Sequence, residues 1–343
     1  MRDVLVVGLG AVSPAGWGVA ALRAAIASGA PLTPDRADSP AHLPTLGVHR
    51  VPLPGLRPPW AGHPRMRRAG AITRFAVAAA LEALGLDSEG TPGPLPDAAR
   101  TGLVFCTMTG GVVCSRRFHQ EAVQDPRTAS PLLFPETVFN APASHLAAIL
   151  GLTGRVQTEV GDPTCLIQAF DTALLWIGTN RVDRCLIVAA EEADWLTAHA
   201  LALRYPGRVS AEGAGALLLA REPDDGALAR IGAVAPAAQR PEAALMQALG
   251  MATGPADGGT INPRQWDARP RGGRHHPVPG SGDPLANLGE AWAAGAAWRM
   301  IEAAASVARG ETVRAGAVVP GLYGRAGGVR FDAPESGRQD LRL

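Results

Sequence analysis

Short apolar runs alternate along the chain with longer stretches in which apolar residues recur at helical spacing. The β-rich apolar runs predict buried strands, at residues 4–7, 102–107, 184–190 and 215–220. Apolar positions three and four residues apart predict helices, at residues 17–28, 69–84, 141–151 and 291–309. Because strands and helices alternate, the pattern predicts a layered α/β fold.

A further helix is predicted from residues 164–181 (TCLIQAFDTALLWIGTNR), which are apolar on nearly every face. Asp162 at the N-cap and Pro163 at the first helical position form a start signal for this helix. A helix that is hydrophobic all round is a buried one. We therefore expect this helix in the core.

Two features predict how the chain is organised. Residues 30–65 are rich in proline and lack periodicity, which predicts a long ordered excursion rather than a linker. Residues 6–16 (VVGLGAVSPAG) are echoed by residues 229–238 (ARIGAVAPAA), which indicates two similar halves. We place the N-terminal half at residues 1–225 and a shortened C-terminal half at residues 226–343.

Composition and charge exclude several classes of function. The 343 residues are 47% hydrophobic and 18% charged, which provides a large core. The net charge of +1 gives no support to nucleic-acid binding. All 32 residues counted as Lys or Arg are Arg, so a Schiff-base lysine and a P-loop lysine are both excluded.

Cysteine, histidine and glycine spacings predict neither a metal nor a cofactor. The four cysteines form no Cys-x-x-Cys pair and indicate a reducing compartment. His275 and His276 have no ligand partners at suitable spacing, and Gly8-x-Gly10 lacks the third glycine of a dinucleotide fingerprint. No apolar run approaches a membrane span and the first residues are typical of a strand, so we expect a cytoplasmic protein.

Five stretches in sequence order carry a family resemblance. They are residues 6–29 (VVGLGAVSPAGWGVAALRAAIASG), 65–87 (RMRRAGAITRFAVAAALEALGLD), 130–154 (SPLLFPETVFNAPASHLAAILGLTG), 210–222 (SAEGAGALLLARE) and 286–311 (ANLGEAWAAGAAWRMIEAAASVARGE). Together they resemble the β-ketoacyl synthase (ketosynthase) family of the thiolase fold. The resemblance implies a five-layer α-β-α-β-α fold with two similar halves, and a dimer.

The resemblance also implies where the family's catalytic residues fall. Active members use a Cys at the N-terminus of a buried helix, where the helix end favours the thiolate and backbone N–H groups hold the oxyanion. Alignment without gaps places Pro163 at that position, and proline cannot be acylated. The two catalytic His positions fall on Asp257, in ADGGT, and on Glu290. The gating loop corresponds to residues 321–328, with Tyr323 nearest the aromatic role.

These replacements predict a subunit that lacks condensing activity. Carboxylates at the two His positions disfavour the enolate that decarboxylation generates. The pattern resembles the chain length factors of type II polyketide synthases, which implies a partner subunit in fatty-acid or polyketide-type biosynthesis. We expect a heterodimer with an active ketosynthase, or a homodimer, and contact with an acyl carrier protein. The arginines at residues 65–74 are candidates for facing that acidic carrier.

Two other functions stay open. Cys165 lies in the first turn of the same predicted helix and is the alternative nucleophile of an active acyltransferase or condensing enzyme. A third possibility is a scaffold protein without an acyl pocket.

Several of the singled-out residues also have purely structural interpretations. Glu290 fits an ion pair at a helix start and Asp257 fits a turn. We interpret Glu191 and Glu192 as a structural ion pair and His145 as a structural residue. Cys106 and Cys114 fit core or pocket lining.

Overall fold

The computed structural model describes residues 3–87, 91–221, 226–240, 242–251, 283 and 285–334. Within these residues it contains a nine-stranded sheet, a separate three-stranded sheet and eight α-helices. The strands are β1 Val4–Ser13, β2 Gly16–Trp17, β3 Asp35–Arg36, β4 Gly47–His49, β5 Thr101–Thr107, β6 Val156–Val160, β7 Arg184–Glu191, β8 Ser210–Ala211, β9 Gly213–Arg221, β10 Ala229–Gln239, β11 Arg314–Pro320 and β12 Arg325–Asp332. The helices are α1 Val19–Ser28, α2 Ala71–Ala83, α3 Val112–Gln124, α4 Ala141–Leu150, α5 Cys165–Gly178, α6 Trp195–Arg204, α7 Glu242–Ala248 and α8 Trp292–Ala308.

The strands and helices predicted from apolar patterning are confirmed. The four predicted strands are β1, β5, β7 and β9, and β1 extends six residues beyond its predicted end at residue 7. The predicted helices are α1, α2, α4, α5 and α8. Helix α4 ends at Gly151, whose left-handed backbone (φ 65°) closes the helix as expected of a C-terminal glycine.

The large sheet is built from two parts with the same strand order. In the first part, β5 pairs in parallel with β6 and β7, and β9 pairs antiparallel with β7 and β1. In the second part, β12 pairs antiparallel with β11 and β10. The order β11-β12-β10 therefore repeats the order β7-β9-β1, and α8 precedes β11 as α5 precedes β7. The two parts join where β1 pairs with β10, the two strands that carry the sequence echo.

Helices α5 and α8 lie between the two parts of the sheet. Both pack against strands of the first part, β5, β7 and β9, and against strands of the second part, β10 and β12. Helices α2 and α4 cover the outer face of the first part, and α7 covers β10 and β12 from the outside. The predicted layering of α-β-α-β-α is confirmed.

The core sits around the two central helices. Phe170 of α5 meets Phe331 of β12 with ring centroids 6.3 Å apart, and both side chains are fully buried. Trp298 of α8 is also fully buried, and its indole Nε1 donates to the carbonyl oxygens of Val12 (3.2 Å) and Ala214 (2.9 Å). Because each contact joins elements far apart in sequence, the core fixes α5 and α8 relative to both parts of the sheet.

The Gly8-x-Gly10 pair serves packing. A Cβ atom at Gly8 would overlap the carbonyl oxygen of Ala83, and one at Gly10 would overlap that of Ala79. Helix α2 therefore lies so close to β1 that only glycine fits at these two positions.

The excursion at residues 30–65 contributes a small sheet. Its strands β3 and β4 pair antiparallel, and β4 pairs in parallel with β8. This sheet places His49 and the segment after α6 beside the start of α8, which positions part of the candidate site.

Candidate functional site

Helix α5 begins two residues later than the sequence predicted. Asp162, Pro163 and Thr164 form a turn, and the helix starts at Cys165. The Asp162 carboxylate accepts from the backbone N–H (3.0 Å) and hydroxyl (2.5 Å) of Thr164, so it caps the turn as expected of an N-cap aspartate. It also accepts from the backbone N–H of Leu322 at 2.8 Å, which brings the loop at residues 321–324 onto the start of α5.

Pro163 is buried within this turn. Its carbonyl oxygen accepts from the backbone N–H of Leu166 at 3.3 Å, so the residue takes part in the first turn without a side-chain donor or acceptor. A group at this position would lie at the positive end of α5, but the pyrrolidine ring offers neither a nucleophile nor an acid.

Cys165 lies in the core. Its side chain is 3% exposed and belongs to the buried cluster that includes Cys106, Leu166 and Ile187. The Cys106 thiol contacts the Cys165 carbonyl oxygen at 3.9 Å. Burial, followed by the neighbouring Cys165, raises the pKa of Cys106 well above its ordinary value, so this thiol is held protonated.

Glu290 lies at the start of α8 in an ion pair. One carboxylate oxygen accepts from Arg208 Nη1 at 2.7 Å, and the other accepts from the backbone N–H of Trp292 at 3.1 Å. The second contact caps the helix, which agrees with the ion-pair interpretation of an acid at a helix start. Gly289 before it has a left-handed backbone (φ 86°), and a Cβ there would lie 2.7 Å from the Val209 carbonyl oxygen.

An aromatic and arginine cluster joins the starts of α5 and α8. We define the Tyr205 cluster as Arg204, Tyr205, Arg208, Trp292 and Tyr323. The Arg204 and Arg208 guanidinium groups lie 4.9 and 5.2 Å from the Tyr205 ring, and Arg204 lies 6.0 Å from the Tyr323 ring. The Tyr205 and Trp292 ring centroids are 6.4 Å apart. Of these five residues only Tyr323 was singled out from the sequence, because the members of the cluster come from three separate segments.

The charges around Tyr205 show how close these segments are. Burial raises the pKa of the Tyr205 hydroxyl, and the carboxylates of Glu290 and Asp162 raise it further against the opposing effect of Arg204 and Arg208. Asp162 and Glu290 therefore act on the same hydroxyl from the starts of α5 and α8.

His49 is an imidazole near Glu290 that sequence reasoning missed. It is 6% exposed, and its Nδ1 lies 3.0 Å from the Leu288 carbonyl oxygen, which fixes Nδ1 as the donor. Its Nε2 has no hydrogen-bond partner among the described residues. No sequence pattern predicts this role, because His49 lies in the excursion at residues 30–65, which lacks periodicity.

Glu191 and Glu192 are not an ion pair, contrary to the sequence interpretation. Within the described ranges neither carboxylate meets a basic side chain at ion-pair distance. Glu191 accepts hydrogen bonds from backbone N–H groups and hydroxyls, and Glu192 accepts from backbone N–H groups. Glu191 accepts from Met108 N (2.6 Å), Thr109 N (3.0 Å) and the Thr109 hydroxyl (2.5 Å). Glu192 accepts from Val113 N at 2.8 Å. Burial raises the pKa of each to about 7, since desolvation outweighs these hydrogen bonds.

The other singled-out residues have structural contacts. His145 Nε2 lies 2.7 Å from a Glu136 carboxylate oxygen, in agreement with a structural role. Burial raises the pKa of Cys114 to about 11. His275, His276 and Asp257 lie outside the described residues.

The arrangement combines carboxylates with buried apolar groups. At the starts of α5 and α8 it places two carboxylates, Asp162 and Glu290, and a buried proline, while the nearest thiol, Cys165, lies in the core. Across the described part of the chain, no three His, Cys, Asp or Glu side chains meet as metal ligands would. No helix among the described residues is long and apolar enough to cross a membrane.

Comparison with known proteins identifies solved structures with a similar fold. No protein-family model matches the sequence, and no curated protein matches it. The ishigamide ketosynthase/chain length factor is similar with a TM-score of 0.74 and 20% identity, over 96% of this chain and 99% of the other. A ketosynthase in complex with its chain length factor from Xenorhabdus doucetiae gives a TM-score of 0.71 and 14% identity, over 97% and 98%. A type II polyketide synthase acyl-carrier protein in complex with its ketosynthase gives 0.71 and 14%, over 97% and 100%.

The likeness extends over nearly the whole of each chain compared. It therefore includes both parts of the sheet and the central helices α5 and α8. The resemblance to ketosynthases predicted from the sequence is confirmed at the level of structure: this chain has the thiolase-like fold of ketosynthases and chain length factors.

Proposed function

We propose that the protein is a ketosynthase-like subunit of polyketide or fatty-acid-type biosynthesis that lacks condensing activity on its own. It acts in the cytoplasm as a chain-length-factor-like partner of an active ketosynthase. We also propose that this subunit consists of two similar halves, residues 1–225 and residues 226–343.

One observation carries the proposal: the start of the buried helix α5 offers no accessible thiol. Under the proposed alignment Pro163 occupies the nucleophile position, and it is buried in a turn capped by Asp162. Cys165 is 3% exposed and packs beside Cys106, so an acyl group would have to enter the core to reach it. Acyl transfer needs an accessible thiolate with a base or positive environment.

Glu290 supports the same conclusion. Under the alignment it occupies one catalytic His position, and its carboxylate is engaged by Arg208 and by the start of α8. A carboxylate there repels a developing enolate, whereas a donor would stabilise it. Asp257 occupies the other catalytic His position under the same alignment, and its role is proposed from the sequence alone.

A face suited to a partner lies at β6. This strand ends the sheet, and Val156 and Val160 on it are 42% and 50% exposed. Further exposed apolar side chains are Val123 on α3 and Leu132, Phe134, Val138 and Phe139 in the segment before α4. The turn at residues 134–136 contacts both α3 and α4, and α4 packs against β6. Together these exposed side chains define the β6 face. Helix α3 contains no buried residue, so its apolar side chains are available for burial against a partner. An unpaired edge strand with exposed apolar neighbours fits a second chain.

We propose an active ketosynthase as the occupant of the β6 face. Similar structures include a ketosynthase in complex with its chain length factor, which supports this choice over an unrelated protein. A second copy of this chain would pair on the same edge, so the homodimer is an outcome that the experiment must distinguish.

The acyl carrier protein is the second proposed partner. Arg65, Arg67, Arg68 and Arg74 are exposed, and none of them pairs with a carboxylate among the described residues. Free guanidinium groups on one surface favour an acidic partner and increase its rate of association.

The test is an acyl-labelling experiment. The chain is purified alone and co-expressed with a candidate ketosynthase that has an intact Cys-His-His set, and each sample receives labelled acyl-carrier substrate. We expect co-purification of the two chains, with label on the ketosynthase and none on this chain. Cys165→Ala should leave the result unchanged, as should the control Cys106→Ala.

Two results would contradict the proposal. Label on the isolated chain that disappears in Cys165→Ala would establish the active acyltransferase instead. A stable homodimer that never binds the ketosynthase and takes up no label would favour the scaffold.

A further inference from the structure

A group of three arginines lies on the second part of the sheet, separate from the residues at the starts of α5 and α8. The register places Arg314 of β11 and Arg230 of β10 on either side of Asp332 of β12. Arg330 precedes Asp332 by two residues and so projects from the same face. Phe331 between them points the other way, into the core against Phe170. The arginines therefore lie on the outer face, the side covered by α7.

All three guanidinium groups converge on one carboxylate. Asp332 accepts from Arg314 Nε at 2.8 Å, from Arg330 Nη2 at 3.1 Å and from Arg230 Nη2 at 3.2 Å. Gly232 lies at a bulge in β10, and a Cβ there would overlap Asp332 Oδ2. The backbone is thus shaped to let the arginines and the aspartate meet.

The three arginines carry more positive charge than the neighbouring carboxylates balance, and some of their N–H donors have no acceptor. Asp3 is the only other carboxylate at ion-pair distance among the described residues, 3.6 Å from Arg230, so three cations face two anions and leave a net charge of +1. The Nε atoms of Arg230 and Arg330 have no hydrogen-bond partner among these residues. Arg314 is 49% exposed and Arg230 is 25% exposed, so two of the groups reach solvent.

We propose that Arg230, Arg314 and Arg330 form a binding site for a phosphate-type oxyanion. Guanidinium groups bind phosphate in a bidentate way, and a bound anion would offset the excess positive charge that Asp3 and Asp332 leave. The site is independent of the proposed acyl chemistry. The ligand is either inorganic phosphate or a small phosphate monoester, because the arginines would bind the phosphate group of both in the same way.

The test is isothermal titration calorimetry on the full chain with inorganic phosphate, sulfate and glycerol phosphate, at constant ionic strength set with sodium chloride. We expect saturable binding of one phosphate per chain. Arg314→Gln should weaken it by about tenfold or more, because one charge-assisted contact is lost. A gain for glycerol phosphate over inorganic phosphate would identify a monoester as the source.

The control is Arg117→Gln, which removes an arginine that is 66% exposed and that pairs with Glu121 on α3. It should bind phosphate like the wild type, and circular dichroism should show that both variants are folded. An absence of saturable binding, or equal binding by Arg314→Gln and wild type, would overturn the proposal. So would a heat signal that sodium chloride reproduces, since that would be a general salt effect.

Discussion

Glu191 and Glu192 lie at the end of strand β7, and their carboxyl groups are 1% and 2% exposed. Titrating these two groups tests the free-energy cost of burying charge in this fold. Burial raises each pKa to about 7, from an ordinary value of 4.5. The folded protein therefore binds these two protons more tightly than the unfolded chain does. Their contribution to stability is fully present below the unfolded pKa of 4.5 and is lost as the pH rises through 7.

The magnitude follows from the two pKa values. Between about pH 7.5 and about pH 5, each group should raise the free energy of unfolding by about 2 kcal/mol. Urea unfolding followed by circular dichroism at the two pH values measures this change. The double variant Glu191→Gln, Glu192→Gln should lose most of the pH dependence. Its absolute stability should also fall, because each amide NH2 would face backbone N–H donors.

Glu121→Gln is the matched control. Hydrogen bonding to Ser130 and Arg117 lowers the pKa of Glu121, so this exposed group stays ionised throughout the range, and its removal should leave the pH dependence intact. The reasoning is refuted if the wild type gains no stability on acidification. It is equally refuted if the double variant keeps the full wild-type slope.

Three further substitutions test the packing and the interface. Gly289→Ala should lower the free energy of unfolding in urea by about 2–4 kcal/mol, because a Cβ strains the left-handed backbone and meets a carbonyl oxygen. A variant as stable as the wild type would show that the start of α8 is looser than described. Phe170→Ala should cost about 3–5 kcal/mol by leaving a cavity, while Leu175→Ala, on the same helix but 61% exposed, should cost under about 1 kcal/mol. Val160→Lys should reduce co-purification with the ketosynthase, whereas Leu203→Lys, at an 88% exposed position away from β6, should not; equal loss in both would count against the β6 face.

Elements with a strong apolar pattern could be predicted because burial alone determines them. Strands β5, β7 and β9 are buried along nearly their whole length, and the sequence shows this as uninterrupted apolar runs. Helix α5 is apolar on most faces for the same reason. Helix α3 could not be found this way, because none of its residues is buried and polar and charged residues interrupt its apolar positions.

The details of the site depended on contacts that local sequence does not encode. The start of α5 was predicted two residues early, because Asp162 caps a turn and also binds Leu322, 160 residues away. The partners of Glu191 and Glu192 are mostly backbone N–H groups, which carry no sequence signature. Gly8 and Gly10 resembled part of a phosphate-binding loop, yet their role is to admit α2.

Fold and catalysis can separate in this architecture because they depend on different parts of the two central helices. The apolar bodies of α5 and α8 hold the sheet layers together, whereas the proposed reacting positions occupy only their first turns. Proline is tolerated in a turn before a helix, and Glu290 is compensated by Arg208, so neither replacement disturbs packing. Under the proposed alignment, a thiol at position 163 would still face a carboxylate where the chemistry needs a donor. Under the proposed function, restoring condensation would therefore require changes at both helices.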